Sequence, residues 1–386
     1  MLNVLALTEG FPYGNGLAGV FHVDQFKELA ANGINLTVAG ATPWVPPGLS
    51  RFRRWARYNA GPFRQDIDGF MVYRPRYLAI PGEARWLRPH WVQAAAIERL
   101  PIERPDLIHA FFALPQGATA RILARRWNIP YLVTSLGGDV THLAQQSAYH
   151  RQLFRQVLID AKVAMANGPS LARQAATLAG VKVETCPLGI DAKRFTGVIS
   201  KKAARAELGL PANKTLVLFV GAVSKEKGVV ELLQAVRHLD DSTLCCVLVG
   251  TGPLSTEASQ TPHCLPVGFQ DNSRLPLYFA AADMFVLPSH SEGLPTVVIE
   301  AGFSVVPVIG SDIPPIRDLL GHGRGILVPL EDPTALAREI AQMRDAPGPA
   351  AEQAARLKDH VAGFYEVKPA VRNLMEIYRQ AAGHQA

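Results

Sequence analysis

Two carboxylates, Glu292 and Glu300, stand eight residues apart in the stretch PSHSEGLPTVVIEAG. The first falls in a turn rich in Gly, Pro and Ser. The second falls about a turn and a half into a helix whose first residue is expected to be Pro295. The two acids therefore do not share a helix face. The N–H groups of Leu294, Thr296 and Val297 lie at the start of that helix, where no helical carbonyl reaches them, and make an anion site suited to phosphate. Acids around such a site fit a ligand that carries hydroxyls beside its phosphates, as a sugar nucleotide does. Ahead of the turn, ADMFVLPS reads as a short buried strand, and VVPVIG after the helix reads as the next one.

The segment EGLPTVVIE resembles the E-x7-E motif of retaining GT-B glycosyltransferases, in particular the large family 4 group, and the resemblance runs through most of the chain. VGAVSKEKG is similar to the family's phosphate clamp, G-R-x4-K-G: Lys227 and Gly228 are kept, and Ala222 stands at the Arg position. An Arg there would hold a diphosphate bidentately, so its charge falls to Lys225 or Lys227. LGGDV resembles H-G-S-D-V, with Asp139 kept and Leu136 in place of the His that faces the transferring sugar. IGSDIPPIRD stands where the family has T-D-V-G-G-I-P-E. There Pro314 and Pro315 replace glycines whose N–H groups approach phosphate, and Asp318 takes the acid's place. VYRPRY, with Arg74 and Arg76, looks like a region of family 4 enzymes that build envelope polysaccharides, and PLGID resembles the close of the family's first domain.

The resemblance implies an α/β GT-B fold, with two Rossmann-like doubly wound domains facing across a cleft. Residues 1–191 would form the acceptor-side domain and 192–365 the donor-side domain, with 366–386 crossing back onto the first and the hinge near 189–195. Glu292, Lys227 and Asp139 are the implied catalytic residues, Glu292 stabilising positive charge at the anomeric carbon. Glu300 would take the ribose hydroxyls, Lys225 and the Leu294, Thr296 and Val297 amides the diphosphate, and the backbone at Phe269 the base. A loop holding Gly14, Gly16 and Gly19 would close over the donor, with Gly16 in contact. His22, His109, Arg74 and Arg76 are the acceptor-side residues.

The elements that must position these groups alternate along the chain. NVLALT, INLTVAG, RPDLIHAFF and IPYLVTSLGGDV read as strands of a first sheet, His109 ending its strand. AMANGPSLARQAATLAG reads as one long helix. KTLVLFVGAV, STLCCVLVG, PVGFQ, the strand of ADMFVLPS and GRGILV build a second sheet, with a helix from Pro333 capped by Asp332 and a last helix over KPAVRNLMEIYRQAAG. The glycines after NVLALT do not follow G-x-G-x-x-G, so a dinucleotide fold is poorly supported. Asp66 and Asp68 precede a strand in an Asp-Gly turn and are not read as a metal site.

At 386 residues the chain is long enough for two cores, and a hydrophobic share of 48% fits a soluble globular protein. No apolar run reaches the roughly 18 residues that span a bilayer. The start reads as a strand and not as a leader. Cys186, Cys245, Cys246 and Cys264 show no metal spacing and read as reduced core residues of a cytoplasmic protein. The net charge of +6 concentrates in residues 51–91, where nine arginines interleave with Phe52, Trp55, Tyr58, Phe63, Trp86 and Trp91. In a long connection this composition suits an anionic membrane surface. No module for nucleic acid accompanies it.

The reading is thus a metal-independent retaining glycosyltransferase with no cofactor. It takes a sugar from a nucleotide-diphosphate sugar to a saccharide or lipid-linked acceptor in bacterial envelope polysaccharide synthesis. It is cytoplasmic and peripheral on the membrane, with no nucleic acid partner. The alternatives are a sugar-nucleotide binder without turnover and a phosphorylase-like enzyme of the same fold.

Overall fold

The computed structural model describes residues 1–8, 22–45, 48, 61–78, 89–197 and 199–383. The chain divides into two compact units, Met1–Ile190 with Val367–Ala386, and Asp191–Glu366. Each is built on one mostly parallel sheet.

Unit 1 carries β1 (Leu2–Leu7), β2 (Ile34–Ala39), β4 (Arg64–Ile67), β5 (Phe70–Tyr73), β7 (Leu107–Phe111), β8 (Tyr131–Ser135), β9 (Val163–Ala166) and β10 (Glu184–Thr185) in the order β10-β9-β8-β7-β1-β2-β5-β4. Only β4 runs antiparallel to its neighbour. β3 (Thr42–Trp44) and β6 (Arg76–Leu78) pair apart from this sheet. The helices are α1 (Val23–Ala31), α2 (Pro89–Ile97), α3 (Ala118–Trp127), α4 (Ala148–Asp160) and α5 (Pro169–Ala179).

Strand residues alternate between two apolar layers: Leu5 and Leu7 enter one, Val4 and Ala6 the other. The second layer is closed by the chain's last helix, Val367–Ala381. Its Val367, Ala370, Val371, Leu374, Met375, Tyr378 and Ala381 recur at three and four residues and are all buried. That helix joins unit 1 where Val367 N–H donates to the Ile190 carbonyl at 3.1 Å. Gly189 allows the contact, since a Cβ there would lie 2.6 Å from the Val367 Cα.

Unit 2 holds β11 (Thr215–Val220), β12 (Leu244–Val249), β13 (Cys264–Gly268), β14 (Met284–Leu287), β15 (Val308–Ser311) and β16 (Ile326–Val328), all parallel, in the order β13-β12-β11-β14-β15-β16. Its helices are α6 (Lys201–Leu208), α7 (Val229–Leu239), α8 (Ser255–Gln260), α9 (Leu275–Ala281), α10 (Thr296–Phe303), α11 (Pro314–Leu320), α12 (Pro333–Asp345) and α13 (Pro347–Phe364). The chain steps outward from β11 to β13 and then returns to the other side of β11 with β14. The strand order therefore reverses between β11 and β14, where such sheets bind ligands outside the strands' carboxyl ends.

Three expectations change. AMANGPSLARQAATLAG is not one helix: its start lies in β9, Gly168 is extended, and Pro169 opens α5, because a proline is accepted at a helix's first turn and not within it. His109 does not end its strand, which continues to Phe111. Asp66 does not simply precede a strand, since β4 and β5 form a hairpin across Asp68-Gly69, both at positive φ. Asp66 thus lies in a strand, opposite Met71, and Asp68 pairs with Lys27 at 2.7 Å. Among the described residues no cluster of three acids, histidines or cysteines could hold a metal ion.

Candidate active site

In unit 2 the loops leaving β11 and β14 are neighbours, because those strands pair across the reversal point, Val217 beside Met284 and Leu218 beside Phe285. The first loop carries Ala222, Lys225 and Lys227; the second carries His290 and Glu292. Three polar contacts tie them. The His290 N–H donates to the Glu226 carbonyl at 3.0 Å. The Lys227 ammonium donates to the Glu292 carboxylate at 2.7 Å. His290 Nε2 lies 3.1 Å from a carboxylate oxygen of Glu231, in the first turn of α7. Gly228 makes this approach possible. It sits at φ +69°, and a Cβ would stand 1.9 Å from the Pro288 carbonyl oxygen.

The two expected catalytic residues of this unit are therefore one ion pair. The Lys227 side chain is 30% exposed and that of Glu292 10%, so an incoming anion reaches the lysine more readily than the acid. Beside the pair, α10 starts at Thr296, one residue later than expected, and Pro295 is its cap. The first amide of the helix with an acceptor is Val298, to the Pro295 carbonyl at 3.0 Å. Those of Leu294, Thr296 and Val297 have no backbone acceptor among the described residues, the condition for anion binding at a helix start. Glu300 is half-buried within α10. Phe269 follows the last residue of β13 and is 48% exposed. Lys225 and Ala222 are exposed. Pro314 and Pro315 open α11 after β15, where a missing N–H is tolerated.

Unit 1 treats its ionisable groups differently. Asp139, expected to be catalytic, is fully buried. One of its oxygens accepts from the Ala113 N–H at 2.7 Å, the other from the Gly137 and Leu136 N–H groups at 3.1 and 3.2 Å. Burial raises its pKa against the pull of these amides. It braces the turns after β7 and β8. His109 is buried, with Nδ1 2.7 Å from the Tyr378 hydroxyl and Nε2 2.8 Å from that of Thr134. His22 precedes α1 and packs on Phe26 and Phe111, with ring centroids 5.5 and 4.5 Å away. Desolvation lowers both imidazoles to about 3, so both are neutral.

Arg74 is also buried, donating to the Pro62 carbonyl and to Gln65 at 3.1 Å each. Arg76 is half-buried on β6. Of the acceptor-side residues, His22, His109 and Arg74 are thus internal packing and bracing groups. Gly14, Gly16 and Gly19, and the arginines at 51, 53, 54 and 57, lie outside the described residues.

The sequence reading passed over His290 and Glu231. The available signal was their spacing, each near one member of the ion pair: His290 two residues before Glu292, Glu231 four after Lys227. Their contact crosses 59 residues and shows only in the fold.

Comparison with known proteins agrees with this architecture. The model of glycosyltransferase family 4 matches residues 18–194, and that of glycosyl transferases group 1 matches residues 200–360. A Bacillus subtilis (strain 168) protein that carries the name teichuronic acid biosynthesis glycosyltransferase TuaC is 36% identical over 329 residues, 84% of each chain. The chain belongs to the family 4, group 1 glycosyltransferases.

A D-inositol 3-phosphate glycosyltransferase of Catenulispora acidiphila is 28% identical over 67% of each chain. Among solved structures, sucrose-phosphate synthase from Thermosynechococcus elongatus superposes with a TM-score of 0.82 at 21% identity over all of both chains. Anabaena HepE in complex with UDP and glucose gives 0.74 at 16% identity over 98% of this chain and 100% of its own. The fold is GT-B, with two Rossmann-like units.

Proposed function

We propose that this glycosyltransferase moves a sugar, with retention, from a nucleoside diphosphate sugar to a saccharide or lipid-linked saccharide in envelope polysaccharide assembly. The observation that carries the reading is the Lys227–Glu292 pair at the reversal point of the unit 2 sheet, next to the unpaired amides of Leu294, Thr296 and Val297. Donor binding exchanges partners there. The diphosphate takes the lysine and the amides, the sugar hydroxyls take Glu292, and the ribose takes Glu300. As the bond from the anomeric carbon to the diphosphate breaks, Glu292 stabilises the positive charge on the sugar. Lys227 and the helix amides stabilise the leaving diphosphate, the larger electrostatic task. The acceptor oxygen then bonds the carbon, and its proton leaves with the diphosphate. No metal or cofactor enters this scheme. HepE, whose structures include complexes with UDP and with UDP-glucose, supports the donor class, and the TuaC name supports the envelope acceptor.

The acceptor is assigned to unit 1 and to a membrane surface on the cytoplasmic side. Phe63 and Trp91 expose 53 and 47% of their surface there, in the region of the chain where the arginines concentrate, and Trp44, ahead of it, exposes 44%. Among the described residues no helix is long and apolar enough to cross a membrane, and peripheral attachment needs none. Basic residues near an anionic leaflet contribute about 1 kcal/mol each. The protein should sediment with vesicles containing phosphatidylserine and be released by high salt. The variant with Arg51, Arg53, Arg54 and Arg57 changed to Glu should stay in solution while still binding nucleotide.

The donor reading is tested by thermal shift against UDP-, GDP- and ADP-sugars, followed by turnover of the one that binds. Exposed Ala222, which supplies no cation, favours one rival, a nucleotide-sugar binder without turnover. Stabilisation by a donor with neither transfer nor hydrolysis would establish that rival.

A further inference from the structure

We infer that Glu231 and His290 are positioning residues that set Glu292 against the donor sugar; the inference rests on the donor reading above. Two chain segments meet here. One runs from Glu226 through Lys227 to Glu231, the other from His290 to Glu292. They are joined by the backbone bond from His290 to Glu226 at 3.0 Å, by the Lys227–Glu292 pair at 2.7 Å and by the His290–Glu231 contact at 3.1 Å.

Of these links only Lys227–Glu292 must open when a diphosphate takes the lysine. Glu292 then depends on the other two for its place, and only His290–Glu231 is made by side chains. The burial of Glu231 fits a bracing role. The residue is 8% exposed, and its second carboxylate oxygen is buried without a hydrogen-bond partner. A carboxylate held so deeply is costly unless it is paired, so His290 is the partner that makes its position tolerable. With Nε2 turned to Glu231, the ring is fixed, and with it the loop that ends at Glu292. Neither residue touches the reacting atoms in this scheme; both act through Glu292.

The test uses the full chain, with UDP and UDP-glucose as probes. Glu231→Ala should leave UDP affinity within about twofold and remove most of the extra affinity that the glucose adds, about tenfold. It should lower kcat more than it raises KM. Amide exchange in the segment 288–295 should quicken. Glu231→Gln, which keeps an oxygen for the imidazole N–H, should restore most of both quantities. A purely structural role would lower the melting temperature of Glu231→Ala and leave the glucose increment and the kcat of the folded fraction unchanged, and that result overturns the inference. Should Glu231→Ala not fold, His290→Ala and its conservative counterpart His290→Gln make the same comparison. If wild-type protein binds neither UDP nor UDP-glucose, the donor reading fails by itself. Exchange in 288–295 then still decides: unchanged protection in Glu231→Ala and His290→Ala overturns the positioning role.

Discussion

Asp139, in the one-turn helix Gly138–Thr141 after β8, and Glu292, on the loop after β14, are both acids close behind sheet strands, and both are kept by the family resemblance. They are held in opposite ways. Asp139 is gripped by three backbone amides, which cannot leave without dismantling two turns. Glu292 is gripped by one lysine ammonium, whose side chain is flexible and partly in solvent. The same contrast separates the histidines. His109 is closed in by Tyr378 and Thr134, whereas His290 ties two segments together at the carboxyl end of its sheet. An acid committed to amides stabilises the fold, and an acid held by a movable cation can be passed to a ligand.

The widest separation between the two acids should come from their amides. Glu292→Gln should cut transfer by about 10³, or roughly 4 kcal/mol of transition-state stabilisation. UDP affinity should hold or rise, because Lys227 no longer has an acid to leave. Asp139→Asn should do the reverse. It turns an amide N–H₂ toward backbone donors, costs about 1–3 kcal/mol of stability, and leaves the folded enzyme's kcat close to wild type. Kinetics and thermal melts on the two variants check both halves. Full activity in Glu292→Gln would remove it from the catalytic role.

Acid should affect the two units unequally. With folded values of about 3 against 6.5 for a free imidazole, His22 and His109 take up protons only on unfolding across that window. The unfolded state is the more protonated there, so stability falls as pH drops from about 6.5 towards 3. Each imidazole contributes about 1.4 kcal/mol per pH unit. Asp139, with its raised pKa, works against this above its ordinary value, since its folded form takes the proton first. Among its described residues unit 2 has one comparable group, His360, lowered to about 4 by burial. Limited proteolysis with the fragments mapped should therefore find unit 1 opening first as pH falls below 6. Opening of unit 2 first would contradict the burial argument.

Much of unit 2 was legible because its signals are local. The apolar runs LVLFV, LCCVLV and MFVL are strands, and the turn before Thr296 announces a helix start. The pairing of Lys227 with Glu292 spans 65 residues, yet both residues belong to recognisable motifs, so both could be named as site candidates before their contact was visible. Unit 1 misled because its partners are remote and unmarked. Nothing near Asp139 indicates that Ala113, 26 residues earlier, will donate to it. Nothing near His109 announces a tyrosine 269 residues later on the last helix. A polar residue at a strand's end reads alike whether it faces solvent or a returning helix.

Lys227 and Lys225 divide the cationic task unequally. Lys227→Ala should weaken UDP binding by roughly 1.5–3 kcal/mol, the range for a hydrogen bond to a charged group. Lys225→Ala, at an exposed position, should do less. Titration calorimetry at fixed ionic strength separates them. Equal UDP affinity in wild type and Lys227→Ala would place the anion elsewhere.

The smallest effect is expected at Phe269, and it sharpens how unit 2 reads the base. The residue follows Gly268 at the carboxyl end of β13, and about half of its surface is in solvent. An exposed ring that buries little contributes little to the fold, so Phe269→Ala should keep stability within about 0.5 kcal/mol. If the backbone at this position reads the base, the substitution keeps the N–H and C=O and should change UDP affinity by less than about threefold, under 0.7 kcal/mol. Stacking of the ring on the base would instead cost about 1–3 kcal/mol, the range for an aromatic–base contact. Measuring UDP against ribose 5-phosphate plus inorganic phosphate isolates the base. A loss confined to UDP and above tenfold would assign the reading to the ring and overturn the backbone assignment.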